Sequence, residues 1–276
     1  MAICPLHTDI DMSEVMETID ATVTNSFAAT VHAQPFGNCQ IYKSKYGKVQ
    51  IVAIDQTKQH FMDIIDILSQ VDHVIFVARA GLNSLHYASA KNAGKTCSQD
   101  ASNIDTIDQF GEEVLELLIA NKLPPHNLVI HSVEENITQK VENTLKELTA
   151  KSVDRWLAHD KKSSKKIPIL NNPNQLQNTL RGILDSKISG GAKRHALKLS
   201  KNTVTHIDRA SIFATKVDVV ENPENPDVVD AKLYGYVRNC DLDVNGLVHV
   251  SNWGTFQVKE VLYRVVLQKF QRNDLV

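Results

Sequence analysis

The segment Ser89-Ala90-Lys91-Asn92-Ala93-Gly94-Lys95-Thr96 ends in the Gly-Lys-Thr triplet that closes a phosphate-binding loop. Such a loop works because glycines let backbone N–H groups wrap the phosphates, while Lys and Ser/Thr hold phosphate and Mg²⁺. Here Ser89 stands where the first glycine belongs. The segment also comes too late after the apolar run His73–Ala78, and it reads as a mobile loop. The first apolar run is followed by His7-Thr8-Asp9-Ile10-Asp11, which has no glycine and no lysine. Its two carboxylates repel a triphosphate. In Asp55-Gln56-Thr57-Lys58, Lys58 replaces the glycine of an Asp-x-x-Gly switch. Glu134-Glu135-Asn136 stands where Asn-Lys-x-Asp would read guanine. Loss of one motif is divergence; loss of the whole set argues for a scaffold.

Two other constellations and two single residues could carry chemistry. His7, Asp9, Asp11 and Glu14 suggest a metal site, but acids at a helix start cap it and meet the positive end of its dipole. His131 and Ser132 beside Glu134 and Glu135 suggest a nucleophile and base, yet no G-x-S-x-G elbow surrounds Ser132. His249 lies in an apolar run and reads as a packed residue. Trp253, at a turn, reads as corner packing, with an exposed partner contact as the alternative. No catalytic, cofactor-binding or metal-ligating residue is assigned, and no cofactor is expected.

The basic residues carry more. Lys161, Lys162, Lys165 and Lys166 precede a candidate strand, and Lys193, Arg194, Lys198 and Lys201 follow Gly190-Gly191. On a helix, Arg194, Lys198 and Lys201 share one face. Such a face neutralises phosphates without reading bases. Few aromatics are interleaved, which argues against single-strand stacking. The overall charge of −2 hides a strong segregation: residues 1–150 sum to −9, residues 151–201 to +9 and residues 202–276 to −2. A clustered positive field suits a nucleic-acid backbone; a solvated linker and helix face is the plain alternative.

The elements that must position these groups follow from periodicity. Met1–Leu6 reads as a strand, with Asp11 and Glu14 as a capping box for the helix after it. Residues 28–42 and 48–54 read as adjacent strands. Phe61, Ile64, Ile65 and Leu68 share a helical face, and His73–Ala78 is a continuous apolar strand of the kind covered on both sides. Ile107 to Leu118 form a second amphipathic helix, stopped by Pro124-Pro125. The strand Leu128–Val133, a helix from Ile137 to Leu148, the strand Lys166–Leu170 and a helix from Leu176 to Leu184 complete the alternation. This pattern predicts an α/β domain with a mostly parallel sheet and helices on both faces. Residues 210–220, 231–238, 247–250 and 255–258 then read as strands, with Asn245-Gly246 as a turn. The expected boundaries are residues 1–190 for the α/β domain, 191–209 for a basic interdomain segment and 210–276 for a β domain. Hydrophobic content is 42% over 276 residues, enough for a buried core. No apolar run approaches a membrane span. The N-terminus lacks the basic and long apolar regions of a secretory signal. Four scattered cysteines, with no C-x-x-C pair, suit a reducing compartment.

Within the β part, Gly235-Tyr236-Val237-Arg238, Val244-Asn245, Leu247-Val248-His249-Val250 and Gly254-Thr255-Phe256-Gln257 form a specific pattern. It resembles the segment after the G-like domain in the Tsr family of pre-40S ribosome maturation factors (20S pre-rRNA accumulation proteins), relatives of the ribosome-assembly GTPase Bms. Cys4-Pro5-Leu6-His7 and Val71 to Val77 fit the same family less specifically. The resemblance implies a degenerate G-domain-like fold followed by a small, incomplete translation-factor-type β barrel. It implies a non-catalytic pseudo-GTPase that binds pre-40S particles, meaning the 18S rRNA precursor, small-subunit proteins and other assembly factors. Such a protein supports late rRNA maturation by occupying the surface that translational GTPases use. Nucleus and nucleolus, with cytoplasmic pre-40S particles, are the implied locations; no membrane or small-molecule substrate is implied. Family members are usually longer, so a fragment, a truncated product or a short divergent homologue is expected. The tail from Val261 to Val276 departs from the family pattern and reads as a candidate helix. Two alternatives stay open: an active Bms-like GTPase, and an α/β protein-interaction module without RNA contact.

Overall fold

The computed structural model describes residues 1–27, 30–33, 39–44, 47–93, 106–121, 123–134, 137–157, 167–188, 210–221, 229–238, 242–243, 245–250 and 253–262. The first ten elements of the sheet domain are β1 (Ala2–Pro5), α1 (Met12–Phe27), β2 (Thr30–Ala33), β3 (Cys39–Ser44), β4 (Gly47–Ala53), α2 (Phe61–Gln70), β5 (Val74–Ala80), α3 (Leu82–Asn92), α4 (Gln109–Asn121) and β6 (His126–Ser132). Two helices follow, α5 (Gln139–Val153) and α6 (Pro173–Ile188). The six strands form one sheet in the order β2-β3-β4-β1-β5-β6. Strands β4, β1, β5 and β6 run parallel, while β2 and β3 add an antiparallel edge.

Strand β1 sits between β4 and β5 and is buried at all four positions. A strand's side chains alternate between faces, and here each face has its own core. Ala2, Cys4, Phe76, Ala78, Leu128 and Ile130 pack with Ile64, Leu68, Leu85, Leu115, Leu118 and Leu145 of α2 to α5. Ile3, Ile51, Ile75, Val77 and Val129 pack with Val15 and Ile19 of α1 and Leu176, Leu180 and Ile183 of α6. Helices therefore cover both faces, as the unbroken apolar runs predict.

Four sequence expectations change. The single strand expected over 28–42 is two strands, β2 and β3, paired antiparallel; residues 28–29 and 34–38 lie outside the described residues. The strand expected over Lys166–Leu170 contributes one parallel bridge, Ile169 to Ile130. Helix α3 was not anticipated, because its mean hydropathy and apolar stripe are weak. It takes in Ser89 to Asn92, read from sequence as loop. The Ala93 N–H closes this helix on the carbonyls of Ser89, Ala90 and Lys91.

The later strands are β7 (Ser211–Glu221), β8 (Val229–Arg238), β9 (Leu247–Val250) and β10 (Gly254–Gln257). Their pairing is antiparallel. Among the described residues they pair as two two-stranded sheets, β7-β8 and β9-β10. A bulge falls between Ala214 and Lys216. The register sets Ile212, Val217 and Val219 opposite Val237, Leu233 and Ala231 on one face, and Lys216 opposite Tyr234 on the other. The Trp253-Gly254 corner turns on a φ of +114° at Gly254, which only glycine adopts readily. Neither residue read as packed is buried here. Trp253 is 58% exposed, and His249 is exposed with Nδ1 3.1 Å from Thr255 Oγ1 across the hairpin.

One close approach fixes the upper end of the sheet. A Cβ at Gly111, in the first turn of α4, would meet the Leu6 carbonyl oxygen at 2.2 Å and its carbon at 2.8 Å. Both are backbone atoms, so relief requires moving the helix or the loop. Gly111→Ala is expected to lower unfolding free energy by about 1–3 kcal/mol, measured by urea denaturation.

Candidate functional site

In open α/β sheets ligands bind beyond the carboxyl ends of the strands. In this molecule β1, β4, β5 and β6 bring four segments there: Leu6 to Asp11, Asp55 to Lys58, Arg79 with the start of α4, and His131 to Glu134. Three N–H groups of the loop after β1 are engaged within the chain. The Thr8 N–H donates to Asp108 Oδ2 at 2.7 Å, the Asp9 N–H to His7 Nδ1 at 3.1 Å and the Ile10 N–H to the His7 carbonyl at 3.2 Å. Asp11 Oδ1 takes the Ser13 N–H at 2.8 Å and caps α1 as expected. Glu14 turns its Oε2 toward His131 Nε2 at 3.5 Å, where a capping box was expected.

Asp108 is the hub of this end. Its Oδ1 accepts the Gly111 N–H at 3.0 Å, which makes it the cap of α4. Its own N–H donates to the Leu6 carbonyl at 3.1 Å. Burial opposes its charge, but the bonds from Gly111 and Thr8 and the nearby His7 outweigh burial and hold the carboxyl below the usual range. Asp9 instead pairs with Arg79 Nη1 at 2.6 Å. His7 Nδ1 is 3.9 Å from both Asp9 and Asp108. Among the described residues no group of three His, Cys, Asp or Glu is placed to hold a metal ion.

The turn after β4 is closed on itself. Lys58 Nζ lies 2.7 Å from Asp55 Oδ2, and Thr57 donates to Asp55 Oδ1 from N–H and hydroxyl at 3.0 and 2.6 Å. Lys58 first, then Thr57, brings the Asp55 carboxyl down to about 2. Gln56 Nε2 donates to the Thr8 carbonyl at 2.6 Å and sews this turn to the loop after β1.

Beyond β6 the space is filled in the same manner. Ser132 Oγ accepts the Glu134 N–H at 3.3 Å, and the Ser132 carbonyl accepts Asn171 Nδ2 at 3.1 Å. These bonds serve the strand end and give Ser132 no base. A buried network joins α5 to α6: Lys146 Nζ to Glu142 Oε1 at 2.6 Å, Gln175 Nε2 to Glu142 Oε1 at 2.8 Å and Lys146 Nζ to Gln175 Oε1 at 3.1 Å. Burial opposes the Glu142 charge, and Lys146 and Gln175 outweigh it.

Lys161, Lys162, Lys165, Lys166, Lys193, Arg194, Lys198 and Lys201 all lie outside the described residues, as do Gly94, Lys95 and Thr96. Sequence reasoning missed Asp108, Arg79, Gln56 and Gly111. Asp108 carried a visible helix-start signal before Gln109. Its bond to Thr8 spans 100 residues and leaves no trace in local pattern.

Residues 199–264 match the AARP2CN (NUC121) domain. The β part bearing the specific Gly235 to Gln257 pattern falls inside the matched range. The chain is similar to the pre-rRNA-processing protein TSR1 homolog of Homo sapiens, 26% identical over 262 residues. That match covers 94% of this chain and 27% of the relative. The Pongo abelii protein of the same name is 25% identical over the same extent. The Drosophila melanogaster one is 26% identical over 162 residues, 57% of this chain and 17% of the relative. The chain thus spans about a quarter of the length of the first two relatives, and the likeness runs through the α/β part as well as the range matched by the AARP2CN model.

The lowered carboxyls of Asp55 and Asp108 set a pH dependence. Each contributes stability that is present above the ordinary aspartate value, near pH 4, and is lost as pH falls through its folded value. Unfolding free energy should therefore drop steeply below about pH 4 in urea titrations, and Asp108→Asn should flatten that slope.

Proposed function

We propose that this chain acts in ribosome biogenesis as a non-catalytic factor of small-subunit assembly. The observation that carries this reading is the loop after β1, where the N–H groups of Thr8, Asp9 and Ile10 are satisfied by Asp108 and His7, in a protein similar to pre-rRNA-processing TSR1 homologs. A domain of this layout whose loop N–H groups at Thr8, Asp9 and Ile10 are taken up within the chain serves as shape and surface. The parts are an α/β domain over 1–190, a basic segment over 191–209 and a β domain over 210–276. On this reading the chain binds pre-40S particles through 18S rRNA precursor, small-subunit proteins and other assembly factors. It occupies the surface a translational GTPase would use and supports late rRNA maturation. It works in the nucleus and nucleolus and on cytoplasmic pre-40S particles.

RNA contact is assigned to Lys161, Lys162, Lys165, Lys166, Lys193, Arg194, Lys198 and Lys201, within the residues that sum to +9. Backbone neutralisation makes such binding fall with salt in proportion to the phosphates contacted. Reversing Arg194, Lys198 and Lys201 to Glu is expected to weaken cosedimentation with small-subunit precursors and to flatten its salt dependence. Unchanged cosedimentation would remove that segment from the interface. A parallel titration of the unaltered protein with a fluorescent GTP analogue and Mg²⁺ should show no saturable binding. Micromolar or tighter binding would instead favour an active GTPase of the Bms type.

A further inference from the structure

The geometry points to Asp108 as a built-in anion that takes over the structural work of a bound phosphate, locking the loop after β1 to the start of α4. This inference rests on the reading of the loop after β1 as a site that binds no nucleotide. In a nucleotide-binding loop, phosphate oxygens bridge N–H groups of the loop and of a helix N-terminus. Here one carboxylate does so from within the chain. Oδ2 takes the Thr8 N–H of the loop at 2.7 Å, and Oδ1 takes the Gly111 N–H of α4 at 3.0 Å. The side chain is 21% exposed, so these bonds sit at the rim of the core.

The surrounding contacts are consistent with an anion already in place. Arg79, the cation at the end of β5, engages Asp9 and leaves Asp108 to the N–H groups. The Asp108 N–H holds the Leu6 carbonyl at 3.1 Å, and the Arg79 N–H holds the Thr106 carbonyl at 2.9 Å, so the segment leading into α4 is tied to both β1 and β5. Gln56 links the β4–α2 turn to the Thr8 carbonyl directly. In a switch protein the equivalent segments are joined through a ligand and part when it leaves. Here the links are side chain to backbone, backbone to backbone and, for Asp9 with Arg79, side chain to side chain, all within one chain. The device is a constitutive lock.

The test uses the full chain with two variants. Asp108→Asn keeps the volume and one acceptor; Asp108→Ala removes the group and leaves room for a small carboxylate. Hydrogen exchange over residues 6–11 should accelerate at least about tenfold in both, a shift of about 1.4 kcal/mol in local opening. Sodium formate, compared with chloride at equal ionic strength, should restore at least half of the lost protection and melting temperature in Asp108→Ala. It should do nothing for the unaltered protein or for Asp108→Asn. Unchanged exchange in Asp108→Asn, or no formate-specific recovery in Asp108→Ala, would overturn the lock while leaving the non-nucleotide reading intact. GTP binding by the unaltered chain would overturn both.

Discussion

The structure depends on how closely the start of α4 is drawn against the loop after β1. Gly111 allows the helix backbone to reach the Leu6 carbonyl, and Asp108 fixes the contact from both sides by capping the helix and taking the Thr8 N–H. The approach needs a residue without a Cβ, and Asp108 supplies an acceptor to the N–H groups on either side of it. Both requirements are met within four consecutive residues. The remaining ties at this end, Asp9 with Arg79 and Gln56 with Thr8, act on a loop whose position that contact has set. The upper end of the sheet is thus organised by internal polar pairing in the place where related architectures leave room for a ligand.

Much of the fold was legible from period and composition. The apolar runs at β1, β5 and β6 are continuous because each strand feeds two cores, and the helices α1, α2, α4, α5 and α6 show their buried faces as repeats of three and four. Helix α3 escaped because its buried set is small, Ser84, Leu85 and Ala88, and a helix held mainly by close packing of small residues has a faint stripe. The division of residues 28–42 escaped because a run of β-type residues does not mark where a strand turns over an edge. Missing motifs gave the negative half of the site: no glycine-rich loop, no switch glycine, no guanine-reading triplet. The positive half was hidden. Asp108 looked like an ordinary helix cap, and nothing local announces that the same carboxylate also serves a loop a hundred residues away.

Charge is distributed as unevenly as the hydrogen bonds. Acidic side chains crowd the described end of the sheet domain, at Asp9, Asp11, Glu14, Asp55 and Asp108, while the basic excess lies in residues 151–201. Such segregation leaves only a small net charge over the whole sequence. The antiparallel hairpin β7-β8 shows a comparable two-sidedness in packing. Its register collects Ile212, Val217, Val219, Leu233 and Val237 on one face, with Lys216 stacked near Tyr234 on the other.

The central position of β1 has a consequence for biosynthesis. This strand leaves the ribosome before either of its neighbours exists, yet all four of its residues are buried in the finished sheet and shared between two cores. It must wait for β4 on one side and β5 on the other, with α1 and the β2-β3 edge emerging in between. During that interval Ala2-Ile3-Cys4 is an unpaired apolar strand, the kind of segment that seeks any open edge. The nascent chain is then at its most vulnerable to mispairing, and a holding chaperone at the exit site matters most before β5 has been made.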